Sequence, residues 1–198
     1  MSKINLDFFK PTLCSSTKDL LGIWSWSLLL TIEPDLKRAS SLHSRGHDFY
    51  LDWTNPEGKL QHHIKIETQA LKATRMEKQN KGSYENALHS NSKIPFLMNF
   101  QQLKPKCADV FLWIAVYRDT IKYWVLNANA VQHSKYFTPQ HRNEETALRE
   151  NDYDKAEIYE GQIMLTNQNV TDFAEFVTVG KTLKTKIIEQ YKLQKRLQ

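Results

Sequence analysis

The most constraining feature of this sequence is an unbroken apolar run at residues 110–117, VFLWIAVY. Successive side chains of a β-strand point to opposite faces of its sheet. A strand that is apolar at every position must be covered on both faces, which indicates a central strand. A turn at residues 118–120 follows, and residues 121–126, IKYWVL, are predicted to return as an antiparallel partner.

The remaining elements predict an α/β or α+β fold, with a mixed central sheet of about five strands flanked by helices. A first helix is predicted at residues 17–33, where Pro34 stops it. Pro95 in a first turn, followed by apolar residues at helical spacing, predicts a second helix over residues 95–103. Three more elements are predicted: a helical turn at 127–133, a strand at 157–166, and a last helix at 171–198 that has Gly180 as a point for a bend or a split.

Residues 46–69 are predicted to form a hairpin of two short strands. The turn Asn55-Pro56-Glu57-Gly58 supplies the fixed and the permissive φ angles that a chain reversal needs. The second strand alternates in side-chain direction. Its apolar side is formed by Ile64, Ile66 and Thr68, and its polar side by Lys65, Glu67 and Gln69.

Two carboxylates converge at one end of the sheet if this hairpin brings Asp48 beside Glu67. Hard divalent cations such as Mg²⁺ are held by all-oxygen sites of this kind, usually with waters and substrate phosphate completing the shell. The alternating pattern is also that of an ordinary half-exposed strand, so the alternation by itself leaves both interpretations open.

These residues resemble the PD-(D/E)XK nuclease superfamily, and within it the type II restriction endonucleases. The family motif is an Asp at the start of one strand, followed on the next strand by an acidic residue, any residue and a Lys. Asp48 matches the first part and Glu67 the second, whereas Gln69 occupies the position of the Lys. The resemblance continues through residues 99–105 and 108–114, which look like the helix and central strand that follow the catalytic strand in many such enzymes.

The resemblance implies a restriction-endonuclease-like fold, with Asp48 and Glu67 as catalytic residues and Mg²⁺ ligands. Some restriction enzymes of this family carry Gln or Glu at the Lys position, and Gln69 would there orient the water or the metal shell. Lys65 and Lys72 are the alternatives for the missing lysine. In several nucleases of the superfamily a Glu from the first helix also reaches the metal, and Glu33 is the candidate here.

A basic segment directly follows the hairpin. A protein that cuts DNA needs cations near the scissile phosphate, and contacts with the phosphates provide most of its nonspecific affinity. The candidate DNA-binding residues in this segment are Lys72, Arg75, Lys78 and Lys81, and Arg45 is a further candidate in the loop that precedes Asp48. A solvated loop and helix face is the alternative for this segment. The polar residues 134–155 are interpreted as a loop in a DNA groove or as a dimer contact.

Length and composition favour one domain, residues 1–198, with 40% hydrophobic residues and a net charge of +5. This mild basicity permits a polyanionic partner without requiring one. Cys14 and Cys107 lack metal-ligand spacing and are expected to be buried or partly buried thiols. Residues 1–12 have no apolar signal region, and residues 20–30 are too short and too interrupted by serine to span a membrane. A cytoplasmic protein without a membrane partner is expected.

The sequence therefore predicts a Mg²⁺-dependent DNA endonuclease of the type II restriction class, acting on double-stranded DNA. A homodimer is expected, because a twofold protein matches a palindromic site. Two alternatives stay open. One is a structure-selective or repair nuclease on the same fold. The other is a catalytically silent DNA-binding or dimerisation module, in which Gln69 marks lost chemistry.

Overall fold

The computed structural model describes residues 18–39, 47–54, 59–75, 87–140 and 160–196. The helices are α1 (Lys18–Ile32), α2 (Ala128–Gln132) and α3 (Leu183–Arg196), with 3₁₀ turns at Val170–Phe176 and Gly180–Thr182. The strands are β1 (Leu36–Arg38), β2 (Phe49–Thr54), β3 (Leu60–Lys72), β4 (Thr74–Arg75), β5 (Phe96–Leu103), β6 (Val110–Val116), β7 (Ile121–Asn127), β8 (Phe137–Pro139), β9 (Gly161–Thr166) and β10 (Val177–Thr178).

The described strands form two sheets. The first sheet has six strands in the order β1-β2-β3-β6-β7-β10, and the second has four in the order β4-β5-β9-β8. In the first sheet β3 and β6 run parallel, whereas the other neighbouring strands are antiparallel. The chain is thus a mixed α/β structure. Strands β4 and β5 of the second sheet lie in the connection between the two parallel strands, whereas β8 and β9 follow β7.

Strand β6 lies between two apolar clusters, and all its residues are buried. Its even-numbered residues belong to the first cluster, which α1 and α3 complete through Leu28, Leu29, Leu183 and Ile187. Its odd-numbered residues belong to the second cluster, together with residues of β5 and β9 such as Phe100 and Ile163. The prediction of a central strand covered on both faces is confirmed.

Several other predicted elements are confirmed with small shifts of their ends. Helix α1 ends just before Pro34, and β7 returns antiparallel to β6. The helical turn after β7 is α2, where the side chain of Asn127 caps the helix by accepting a hydrogen bond from the backbone N–H of Ala130 over 2.8 Å. The predicted strand at 157–166 is β9 in its described part.

The predicted helix at residues 95–103 is wrong, because this segment forms β5. Met98, Phe100 and Leu103 are its fully buried side chains. A bulge between Phe100 and Leu103 shifts the strand register, and Gln102 within it has a φ of 57°. The bulge inserts one extra residue, so that the buried side chains Phe100 and Leu103 are three residues apart instead of two. The apolar spacing therefore imitates that of a helix turn.

The helix predicted at residues 171–198 is wrong for its first part, whereas the split expected at Gly180 is present and the described residues beyond it form α3. Two 3₁₀ turns enclose β10, whose Val177 and Thr178 pair with Trp124 and Tyr123 of β7, and only then does α3 begin. At Gly180 the chain passes so close to α1 that a Cβ atom would lie 2.9 Å from Ile32 Cγ2.

The expectation of a mixed central sheet of about five strands flanked by helices is confirmed in part, because the first sheet is mixed but has six strands and is accompanied by a second sheet. In the described residues α1 and α3 pack on one face of the first sheet, and the second sheet packs on the other. Among those residues no helix has the length and apolar character that crossing a membrane requires. The predicted turn at 55–58 and most of the polar segment at 134–155 lie outside the described residues.

Candidate functional site

The hairpin of β2 and β3 sets the positions of the two carboxylates. Its register pairs Phe49 with Ile66, so Asp48, which directly precedes β2, comes beside Glu67. The Asp48 carboxylate is close enough to contribute to the raised pKa of Glu67. The structure thus brings together the two acidic residues that the sequence predicts as a pair.

Asp48 continues the hydrogen-bond ladder of the sheet with its side chain. Its Oδ2 accepts hydrogen bonds from the backbone N–H of Thr68 over 2.8 Å and from Thr68 Oγ1 over 2.9 Å. Trp26 Nε1 of α1 donates to the same hydroxyl over 3.2 Å. The carboxylate therefore takes the place of a strand carbonyl at the point where β2 begins, and the fold itself fixes its position.

Glu67 is almost wholly enclosed, with 8% of its surface exposed. Its Oε1 accepts a hydrogen bond from Gln69 Nε2 over 3.0 Å, and its Oε2 accepts from the backbone N–H of Lys104 over 3.5 Å. Burial raises the pKa of Glu67 to about 8, against the effect of these two hydrogen bonds. A carboxyl group with a pKa near neutrality is frequent at functional sites, and it ionises when a cation binds.

Gln69 connects the two sheets. Its Oε1 accepts from the backbone N–H of Gln101 over 3.1 Å, and its Nε2 donates to the carbonyl of the same residue. The side-chain amide thus pairs with both backbone groups of Gln101 in β5 and also holds Glu67. The sequence predicts that Gln69 orients water or the metal shell, whereas in the structure its amide is engaged by three protein groups.

The two lysines predicted as substitutes lie in different places. Lys65 is exposed and shares the face of Glu67 on β3, and its backbone N–H donates to Asp109 Oδ2 over 2.9 Å. Lys72 lies on the opposite face, about 17 Å along the strand from Glu67. Of these two lysines, Lys65 is the one near the carboxylate pair. Together with burial, its charge also lowers the pKa of His47.

Glu33 lies just beyond the end of α1. Its Oε1 accepts a hydrogen bond from the backbone N–H of Asp35 over 3.4 Å. Trp26, the α1 residue that contacts Thr68, is about 10 Å away along the helix axis. The described hydrogen bond holds Glu33 at the helix end, whereas the carboxylate pair lies beside Thr68.

The candidate DNA-binding residues are only partly described. Arg75 is exposed on β4, and Lys72 ends β3. Arg45, Lys78 and Lys81 lie outside the described residues, so their role stays a prediction.

Lys104 and Glu160 are site neighbours that the sequence interpretation missed. Lys104 Nζ lies 3.6 Å from Glu160 Oε2, and the Glu160 side chain is 6% exposed. The sequence did not identify Lys104 as a site residue, because its spacing predicts a helix over residues 95–103. A strand ending at Leu103 would have placed Lys104 at the junction of the two sheets.

The donor set suits a magnesium site that depends on its substrate. Asp48 and Glu67 provide two carboxylates, and Mg²⁺ usually takes one or two from a protein and completes its shell with waters and phosphate. Within the part of the chain that the structure describes, no group of three or more His, Cys, Asp or Glu side chains could hold a metal ion. The fit therefore rests on these two residues.

Comparisons of the chain with protein-family models, curated proteins and solved structures find no match. The relation to the PD-(D/E)XK nucleases therefore stays a prediction from the hairpin residues.

Proposed function

We propose that this protein is a Mg²⁺-dependent DNA endonuclease of the type II restriction class. The observation that carries the proposal is the hairpin register, which sets Asp48 beside a buried Glu67. Both residues have separate supports, Thr68 for Asp48 and Gln69 for Glu67. A pair of carboxylates held in this way costs folding energy, and a cation-dependent function accounts for its presence.

In this proposal Asp48 and Glu67 hold Mg²⁺. The bound ion supplies a water of lowered pKa and shields charge on the phosphate. Gln69 holds Glu67 Oε1 in place through its 3.0 Å hydrogen bond. Because Asp48 is part of the sheet ladder, its carboxylate needs little reorganisation when the site is used.

The partner in this proposal is double-stranded DNA, bound by a homodimer. Arg45, Lys72, Arg75, Lys78 and Lys81 are the proposed phosphate contacts. A net charge of +5 is compatible with that role. A twofold dimer is the simplest way for so small a chain to cut both strands.

A catalytically silent DNA-binding module is the second candidate. The observation that favours it is the engagement of Gln69, whose amide pairs with Glu67 and with both backbone groups of Gln101. An amide engaged in this way has little capacity left to orient water. In this alternative the carboxylate pair is a remnant that the fold has enclosed.

Cleavage of supercoiled plasmid and unmethylated genomic DNA in Mg²⁺ tests the proposal. Discrete fragments support restriction, a smear supports a structure-selective or nonspecific nuclease, and intact DNA supports the silent module. Glu67→Gln and Asp48→Asn should lower the cleavage rate by about 100-fold or more, because each removes a charged metal ligand. The asparagine retains an oxygen that can accept from Thr68.

The control for these variants is Glu175→Gln, which removes one carboxylate from an exposed position. It should cleave at the wild-type rate. DNA affinity measured in Ca²⁺ should persist in both site variants. Wild-type cleavage by Glu67→Gln would show that the hairpin is ordinary structure and that the site lies elsewhere.

A further inference from the structure

The bulge of β5 brings the backbone of Lys104 close to Glu67. Gln69 fixes Gln101 on both of its backbone groups, and Gln102 then adopts its φ of 57°. The chain turns back toward β3, so that the backbone N–H of Lys104 reaches Glu67 Oε2. The position of Lys104 therefore depends on the same amide that holds Glu67.

The ammonium group of Lys104 pairs with one acidic residue and acts on a second. It lies 3.6 Å from Glu160 Oε2, and its charge also acts on the carboxyl group of Glu67. The Lys104 side chain keeps 32% exposure, whereas that of Glu160 keeps 6%. A buried carboxylate beside a partly exposed lysine restricts the ammonium, while part of the lysine side chain stays in contact with solvent.

We propose that Lys104 contacts a non-bridging oxygen of the scissile phosphate, and that Glu160 holds its ammonium in position. This inference rests on the proposed nuclease function. Strand β3 has Gln69 where the resembled motif has lysine, and the bulge brings in a cation from β5 instead. Lys65 shares the face of Glu67, but the backbone hydrogen bond to Glu67 belongs to Lys104.

In the hydrolysis, the oxygen of a water forms a bond to phosphorus while the bond from phosphorus to the leaving sugar oxygen breaks. The attacking water loses a proton to solvent, and the leaving oxygen gains one from solvent. Negative charge rises on the non-bridging oxygens as the new bond forms. A fixed ammonium offsets that charge where it develops, which is the role of Lys104 in the proposal.

An ordinary ion pair with Glu160 is the rival explanation, and a double variant separates the two. Lys104→Met removes a cation from beside a buried carboxylate, so this variant should be less stable and should cleave more slowly for either reason. Lys104→Met/Glu160→Gln removes both charges and should recover the melting temperature. Lys106→Met, in the same turn, is the matched control.

The readouts are single-turnover cleavage in Mg²⁺, DNA affinity in Ca²⁺ and melting temperature, with a duplex that spans a cleavage position mapped for the wild type. We expect the double variant to cleave about 100-fold more slowly while its affinity stays within about threefold. Lys106→Met should match the wild type in all three, and Lys104→Arg should recover part of the cleavage because it keeps the charge.

The outcomes distinguish the inference from the function beneath it. Wild-type cleavage by the double variant would show that Lys104 only neutralises Glu160, and the nuclease function would stand. A loss confined to affinity, with an unchanged rate at saturating enzyme, would also overturn the inference. Intact DNA with the wild-type protein would overturn the proposed function, and the role of Lys104 with it.

Discussion

The two faces of β3 are buried in different ways. On one face Ile64 and Ile66 pack against α1 and α3 in a hydrophobic cluster. On the other face the second sheet encloses Glu67 and Gln69, whose polar atoms find partners on Gln101 and Lys104. Adjacent residues of one strand thus face a core of hydrocarbon and a junction of hydrogen bonds.

Side-chain hydrogen bonds also join residues within the second sheet and the chain next to it. Gln140 Oε1 accepts from the backbone N–H of Gln102 over 2.8 Å, and Asn99 Nδ2 donates to Gln162 Oε1 over 3.1 Å. Such networks require each partner to be present, whereas an apolar cluster tolerates changes that conserve volume. The comparison indicates that the apolar face provides stability and that the polar face holds groups in defined positions.

The largest effect on stability is expected from a substitution on the apolar face of β3. Ile66 is fully buried, so Ile66→Ala should lower the free energy of unfolding by about 2–5 kcal/mol. Urea denaturation would measure it. Ile94, which is 39% exposed, provides the control. If Ile66→Ala and Ile94→Ala cost the same, the apolar face is not the stabilising one.

A substitution of the neighbouring residue, Glu67, should raise the free energy of unfolding rather than lower it. The carboxyl group of Glu67 has a usual pKa of 4.5 and one of about 8 in the folded protein. Between these values the folded state binds a proton that the unfolded state has lost, so stability should fall as pH rises. Glu67→Gln carries no titrating group and should therefore be more stable than wild type at pH 8, by about 1–3 kcal/mol.

The measurement is urea denaturation of both proteins between pH 5 and 8, with Glu175→Gln as the exposed control. The advantage of Glu67→Gln should grow with pH and shrink toward pH 5. A difference that does not change with pH would mean that Glu67 is ionised throughout, and the polar face would then hold a permanent charge.

A smaller loss of stability is expected when the side-chain amide of Gln69, which links the two sheets, is removed. Gln69→Ala removes the partners of the Gln101 backbone and should cost about 1 kcal/mol. Amide hydrogen exchange at Gln101 should accelerate more than exchange in β6, because the damage is confined to the junction. Gln168→Ala, at an exposed position, is the control. Equal exchange rates in wild type and Gln69→Ala would contradict the linking role.

The apolar face was largely predictable from the sequence, because its signals are local. The run at 110–117 implies burial on both sides, and the alternation around Ile66 identifies the inward side of β3. The polar face was not predictable to the same degree. The hairpin pattern predicted that Asp48 and Glu67 lie side by side, and they do. The bulge at Gln102, however, gives β5 the apolar spacing of a helix. The contact of Lys104 with Glu67 depends on that bulge.

The parallel pairing of β3 and β6 has a consequence for how the protein folds. The register that sets Glu67 beside Phe111 can form only after the intervening chain has closed into a large loop, and such closure is slow because its entropy is lost before the contacts repay it. The hairpin of β2 and β3 needs a much shorter loop and should form sooner. Asp48 and Glu67 would then come together while both are still solvated, so that hydration stabilises their charged forms. The second sheet would enclose Glu67 afterwards. Enclosure of an ionised carboxyl is costly near neutral pH, so the late phase of refolding should be faster at pH 5 than at pH 8.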